Sequence, residues 1–379
     1  MQLVFGIIIG IIVLVVLVVL HELGHAIAAR RSGVVVEEFG IGFPPRFWSK
    51  KLKNGTLFSL NALPIGGFVK LQGENDSARK KGDYGAATFW QKTKILLAGV
   101  VVNWLIAVVI LTGLALVGLP KIIDNQFSIP SDTTLISEAV QIGTVVKNYP
   151  AANAGLKTGD AVISIAGEPI DSTSELITVT KANRNKTVEV VYERDGKQTV
   201  VPVTLRDADT AVFGATLGQT EKIRATWSAP IVGVVTTAQY TWATLQGLGS
   251  LVTNFFGGLA MQLSTDQVVR QQGSANLDDA KNSVAGPIGI LGTIFPAAGQ
   301  AGFETVLFLT AIISLTLAVM NVLPIPALDG GSWYLMVIFR LIKKPLTKEL
   351  EEKIKGVGFL ILMALVVLVT FGDVAKLFS

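Results

Sequence analysis

Four long apolar runs dominate this chain and leave it little choice of fold class. They are Leu3 to Ala29, Ile95 to Leu119, Val306 to about Pro326, and Ile354 to Phe371. Each comes near the roughly 20 residues that a helix needs to cross the hydrocarbon core of a bilayer. A backbone in lipid must satisfy its own hydrogen bonds, so such runs are helices. The rest of the composition agrees: 50% of residues are hydrophobic, only 16% are charged, and mean hydropathy is +0.54. Soluble domains carry about a quarter charged residues. The first run has no basic residues ahead of it, no small-residue cleavage site and too long an apolar core for a signal peptide, so it is expected to be retained. The fourth is the shortest, and Lys355 at its start can extend to the interface.

The basic residues orient these spans. Twelve Lys and Arg lie between Arg30 and Lys94, and six between Arg340 and Lys355. Basic loops stay cytoplasmic. Both termini, and the long segment between the second and third spans, are then expected outside. The net charge of +4 is modest and its carriers flank apolar runs, which suits a membrane surface and argues against a nucleic-acid partner. There is no cysteine, which excludes disulfides and thiolate metal sites. Residues 229–256 are also fairly apolar, but a single crossing there would put the second basic loop outside. They are therefore read as interfacial helix, a pair of crossings being the alternative.

Residues 128–207 change character. ISEAVQIGTVV, DAVISIAGEPI, KTVEVVYERDG and KQTVVPVTL alternate with period two, and Gly, Asn and Asp-Gly turns punctuate them. Within PAANAGLKTGDAVISIAGEPIDS a short helix is expected to end near Gly155, with a tight turn at Lys157–Asp160 leading into a strand. This wording resembles the PDZ domains of bacterial envelope proteases. Such domains bind extended peptides by adding a strand at a sheet edge. In the first cytoplasmic loop, Asn54-Gly55 between two alternating runs predicts a β-hairpin. Its second run ends in the apolar, kinked Leu63-Pro64-Ile65-Gly66-Gly67-Phe68. Two readings stand: a plain interfacial hairpin, or an edge that receives a substrate strand.

The expected architecture is a polytopic α-helical membrane protein of about four transmembrane helices, with an inserted β-rich PDZ domain and a membrane-associated β-hairpin. The boundaries are a first span over 1–30, the hairpin loop over 31–93, a second span over 94–119, the PDZ domain over 128–207, interfacial amphipathic helices over 208–302, a third span over 303–331 and a fourth over 354–373.

The chemistry lies in the first span. VVLVVLHELGHAIAAR carries His21, Glu22 and His25 within one helical turn of an apolar run, and these are the only two histidines of the chain. Four residues apart on a helix, the two imidazoles project from nearly the same face. HExxH is the pattern in which both ligate zinc while Glu serves as general base. A bare HExxH is a weak signal, but ionisable groups inside a span are costly and by default functional. Catalytic zinc takes three protein ligands and keeps one open position. The third is expected in MNVLPIPALDGG, residues 320–331, where Pro324 and Pro326 break the helix and Asp329 follows on the same side of the membrane. Asp before two glycines also suits a plain turn.

Taken together, HELGH on a first span, the outer PDZ-like segment and NVLPIPALDGG on a later span resemble the site-2 protease family of intramembrane zinc metalloproteases. The likeness is greatest to the bacterial enzymes that cut anti-sigma factors in the membrane. The resemblance covers nearly the whole chain. It implies His21, His25 and Asp329 as ligands of Zn2+, Glu22 as catalytic base, and Asn321 as a holder of the substrate backbone. It implies that Ile65, Gly66, Gly67 and Phe68 pair with an unwinding substrate helix. The implied partners are a single-span, pre-trimmed transmembrane protein, such as an anti-sigma factor or remnant signal peptide, and the bilayer of the bacterial cell membrane. The chain departs from many relatives in having Gly99-Val100 where they have Gly-Pro, and in showing one PDZ-like segment where some carry two. A non-catalytic PDZ-bearing receptor or scaffold is the alternative. A metal transporter would show internal repeats, and a serine protease would need a third histidine.

Overall fold

The computed structural model describes residues 2–75, 78–194 and 196–377, without the side chains of residues 64, 65, 376 and 377. The expectation placed on the Ile65 side chain thus lies outside the described residues. The chain divides into two units, residues 1–113 with 233–379, and residues 114–232.

Four helices of the described residues are long and apolar enough to cross a membrane. They are α1 (Gln2–Arg31), α2 (Phe89–Val117), α8 (Phe303–Val322) and α10 (Lys348–Leu377). They coincide with the four apolar runs and run on into the polar flanks. Arg30 and Arg31 end α1, where a helix C-terminus favours positive charge. Between these lie α5 (Ala229–Gln262), α6 (Gln267–Asn282) and α7 (Pro287–Ala301); α9 (Asp329–Leu341) follows α8. The pair α6 and α7 is bent by 51° and would add a fifth span if the two are taken as one. The third apolar run does not stay helical to Pro326. Leu323 turns to φ −62°, ψ 152° and ends α8, because a residue before proline is pushed out of the helical region.

In the first unit the helices meet through small residues. Cβ atoms added at Gly6 and Gly10 of α1 would strike Pro296 and Phe295 of α7, and one at Gly24 would strike the Ala98 carbonyl of α2. Lipid tails are as apolar as leucine, so close van der Waals approach and interhelical hydrogen bonds supply the association. Ser314 of α8 donates to the Asn103 carbonyl of α2 at 2.8 Å, and Trp333 of α9 donates to Thr93 of α2 at 3.1 Å. The sequence GPIG at 286–289 has a structural role: the backbone amides of Gly286 and Gly289 donate to the Asp373 carboxylate of α10, at 3.1 and 2.7 Å. The stretch expected as interfacial is one continuous helix, α5. Its first half packs on two spans, with Trp104 of α2 donating to Thr241 at 3.2 Å and the Tyr240 ring edge-on to Phe308 of α8.

The hairpin comprises β1 (Val36–Lys51) and β2 (Leu57–Leu71), turning at Asn54-Gly55 with Gly55 at φ +86°. It is longer than expected and folds back on itself. Phe39 pairs with Val69 on one side and with Phe58 on the other; Gly40 pairs with Phe68 and with Ser59. The first half of β1 is therefore sandwiched between the two halves of β2. Glu38 ties the layers by accepting from Ser59 at 2.6 Å and from Arg46 at 2.8 Å. Among the described residues, Gly67 to Leu71 pairs only with the first half of β1, so its far side is a sheet edge.

The second unit is β-rich. Its strands are β3 (Leu119–Pro120), β4 (Thr134–Ser137), β5 (Val140–Val145), β6 (Ala161–Ile165), β7 (Glu168–Pro169), β8 (Thr187–Arg194), β9 (Lys197–Thr204), β10 (Ala215–Gly218) and β11 (Glu221–Arg224). Two helices join them, α3 (Pro150–Asn153) and α4 (Thr173–Ala182). The main sheet has the order β10-β5-β6-β8-β9 with β7 beside β6, and β3-β11-β4 form a small second sheet. Alternation along β5 and β8 puts Val140, Ile142, Val188 and Val190 into one core, which Val162 and Ile165 of β6, Val203 of β9 and Leu176 of α4 complete. The expected turn is present: Asp160 accepts from the Lys157 amide at 2.7 Å, and Gly159 stands at φ +92°. The expected boundary at 207 is corrected, since β10 and the buried Val212 and Phe213 belong to this unit. ATLG and EKIR are too short for period two to register in the sequence.

Candidate active site

Each donor of the site is placed by a local feature of its own segment. His21 and His25 share a face of α1 because they are four residues apart. Their Nε2 atoms are 3.1 Å from each other, and their ring planes lie 77° apart. Asp329 opens α9. The two glycines after it pack flat on backbone, Gly330 against Val322 and Gly331 against Ile325. A Cβ at either would meet those carbonyls, so the turn that aims Asp329 back at α1 requires Gly-Gly. Its Oδ2 stands 3.1 Å from His21 Nε2 and 3.2 Å from His25 Nε2.

Three donor atoms from two segments 304 or more residues apart thus converge, and these three residues form the group able to hold a metal ion among the described residues. Ligands held tetrahedrally at zinc–donor distances of about 2.0–2.2 Å stand about 3.4 Å apart. The observed separations fall within a few tenths of an ångström of that. The donor set, two imidazoles and a carboxylate, also suits zinc. Space for it is kept by α2, where a Cβ on Gly99 would lie 2.5 Å from both His21 Cε1 and His25 Nε2.

The surroundings fix the rings. His25 Nδ1 donates to the Ile95 carbonyl at 2.7 Å, which leaves its Nε2 lone pair facing the cluster. The amide of Asn103, 1% exposed, lies 3.2 Å from His21 Nδ1. Ile95, Gly99 and Asn103 recur every four residues and form one stripe of α2 along the histidine turn.

Glu22 lines a cavity of about 340 Å³ together with His25, Asp329, Phe68, Val69 and Leu328. Gly67 sits against its stem: a Cβ there would lie 3.6 Å from Glu22 Cγ and 3.7 Å from Val18. The edge of the hairpin therefore runs beside the acid. Asn321 is half-buried one residue before the end of α8 and does not line this cavity. The sequence pointed to Gly99 only as a departure from relatives, and Asn103 was missed. A signal was available, because an Asn inside an apolar run is itself a polar group in a span.

A model of Peptidase family M50 matches residues 9–365. The chain belongs to that family. A Clostridium perfringens protein named as a zinc metalloprotease is 31% identical over 94% of this chain and 95% of its own. The regulator of sigma-W protease RasP of Bacillus subtilis is 27% identical over 97% and 98%, and zinc metalloprotease RasP of Geobacillus kaustophilus is 28% identical over 97% of both. Among solved structures, the PDZ domain of an SdrC-like protein from Listeria monocytogenes matches 21% of this chain and 86% of its own at 26% identity, with a TM-score of 0.19. The family match bears out the resemblance read from HELGH and NVLPIPALDGG, and both motifs lie inside the matched span. As an M50 member the chain is a membrane-associated peptidase.

Proposed function

We propose that this peptidase cuts peptide bonds within the transmembrane segments of single-span membrane proteins, using zinc held by His21, His25 and Asp329. The observation that carries this is the convergence of those three donors beside Glu22, on helices long and apolar enough to lie in the bilayer. Zinc bound there supplies a Lewis acid and brings the pKa of water toward neutrality. Glu22 is the general base, its carboxylate taking a proton from the attacking water and returning it to the leaving amine nitrogen. A substrate helix keeps its carbonyls in internal hydrogen bonds and must unwind before attack. The strand edge from Gly66 to Val69 supplies replacement hydrogen bonds by β-augmentation. Asn321, one residue before the end of α8, is the further holder of the unwound substrate backbone.

The basic loops support a cytoplasmic side for the catalytic end of α1, with the β-rich unit outside the cell membrane as a PDZ-type filter that admits pre-trimmed substrates. The name of the B. subtilis relative, a regulator of sigma-W, supports anti-sigma factors as a substrate class. Cleavage of a single-span substrate in liposomes tests the reading. The wild type should cut within the apolar segment. Glu22→Gln should keep zinc and lose activity by about a hundredfold or more, and a zinc chelator should stop the wild type. Undiminished cleavage by Glu22→Gln would sink the assignment, and zinc-free protein with no cleavage would favour the scaffold alternative.

A further inference from the structure

We propose that Asn103 is a positioning residue for the metal site. Its carboxamide oxygen accepts the Nδ1–H of His21 and thereby holds the His21 Nε2 lone pair on the cluster.

Proton counting assigns this role, given the metal reading above. A neutral imidazole carries one N–H and one lone pair. His21 Nε2 is the atom that faces Asp329 and His25, at 3.1 Å from each. If Nε2 offers its lone pair there, the proton is on Nδ1, and a buried N–H requires an acceptor. The side chain facing Nδ1 is Asn103, but it presents its amino group at 3.2 Å. Two donors then oppose each other. At the same time Asn103 Oδ1 is buried and has no hydrogen-bond partner among the described residues.

One change removes both conflicts. Amide oxygen and nitrogen are assigned from the hydrogen-bond network, not from atom shape. Turning the carboxamide by half a rotation puts Oδ1 on His21 Nδ1 and ends the donor–donor opposition. The orphaned oxygen gains its partner.

The two histidines are then held in the same way by different means. His25 is held by the Ile95 backbone carbonyl. No side-chain substitution removes that acceptor. His21 is held by a side chain, which substitution does remove. Asn103 is itself fixed, because its own carbonyl accepts from Ser314 of α8 and the residue is 1% exposed. Partners of metal-bound histidines fix the tautomer and ring orientation, and losing one costs about 10- to 100-fold in metal affinity.

The test is zinc affinity of the purified full-length chain, by competition with a chelator. Asn103→Leu keeps approximate shape and removes the acceptor, so it should bind zinc about 10- to 100-fold more weakly. Asn103→Asp keeps an acceptor and should bind close to wild type. The chain has only two histidines, so its ring nitrogens can be assigned by 15N NMR. Zinc-loaded wild type should show a proton on Nδ1 of both rings, protected from exchange at His21, with that protection lost in Asn103→Leu. Asn103→Leu binding as tightly as wild type overturns the inference and leaves the metal reading intact. So does Asn103→Asp binding as weakly as Asn103→Leu. If neither variant folds, the wild-type spectrum decides: an unprotonated or freely exchanging His21 Nδ1 overturns it. Wild type that binds no zinc at all overturns both readings.

Discussion

The two units of this chain are held together by opposite means. The β-rich unit buries large aliphatic and aromatic side chains, Ile142, Ile165, Leu176, Val190 and Phe213 among them. The helical unit brings backbones together at glycines: Gly6 and Gly10 on α7, Gly24 and Gly99 on the α1–α2 seam, Gly330 and Gly331 under Asp329. The solvent explains the difference. In water, removing apolar area is the main driving force. In lipid that force is absent, and contact is made through close approach and polar bonds. The lesson is that the same residue type carries different information in the two units. Ile142 and Ile165 of the β-rich unit are packing elements, whereas Ile8 and Ile12 of α1 are exposed on a helix long and apolar enough to cross a membrane. Gly155 and Gly159 of the β-rich unit stand at positive φ in turns, whereas Gly6, Gly10 and Gly24 of α1 mark contacts, and Gly99 of α2 and Gly331 of α9 mark contacts that shape the His21–His25–Asp329 cluster.

Substitutions can break this comparison. The largest effect is expected at Gly331→Ala, whose Cβ would collide with the Ile325 carbonyl and move Asp329. Zinc binding and cleavage should both be abolished, read by metal content and substrate cleavage. Gly99→Ala should fall in the same class, costing about a hundredfold or more in activity, since misplacement by an ångström costs that much. In neither case should protease resistance of residues 114–232 in urea change. If those substitutions instead leave the site intact, the close-contact account of the helical unit is wrong. Next comes the converse, Ile165→Ala in the β-rich unit. It is fully buried and should cost about 2–5 kcal/mol, with zinc content unchanged.

Asp160→Asn sharpens the picture on the polar side of the same unit. Asp160 is 1% exposed and accepts two bonds from Arg194, at 2.6 and 2.7 Å. Losing bonds to a charged group should cost about 2 kcal/mol. Burial pushes the Asp160 carboxyl up, but the Arg194 guanidinium and the Lys157 amide outweigh it and hold it below the usual carboxylate range. Its stabilisation is therefore complete above the unfolded value, near pH 4, and is lost as pH falls through the lower folded value. Urea unfolding of the wild type should weaken over that window, and Asp160→Asn should weaken less. The smallest effect is expected at Ser172→Ala. Ser172 and Glu175 form the capping box of α4, and its loss should cost about 1 kcal/mol.

Much of this was legible because some signals are local. A span is a property of one window, and its four occurrences coincide with α1, α2, α8 and α10. HExxH is a property of one helical turn, and Asn54-Gly55 of one hairpin. Other features were not legible because they depend on what lies opposite. The hairpin doubles over so that Phe39 has two partners, which no alternation within a single strand announces. β10 and β11, four residues each, become strands only because neighbouring strands offer edges. That Asn103 and Gly99 face the histidine turn is legible only once α1 is placed beside them.

The sequence by itself determined the membrane class, the count of long apolar spans, the pair of imidazoles on one face of α1, and the family. Each rests on spacing within a segment or on motif wording, which the chain carries before it folds. The tertiary structure decided that Asp329 meets His21 and His25, that Glu22 faces a cavity bordered by the hairpin edge, and that α2 lines the histidine turn with Ile95, Gly99 and Asn103. These are contacts between segments far apart in the chain. They depend on which backbones can approach one another, and that is set by glycines and broken helices acting together and by no single stretch of residues.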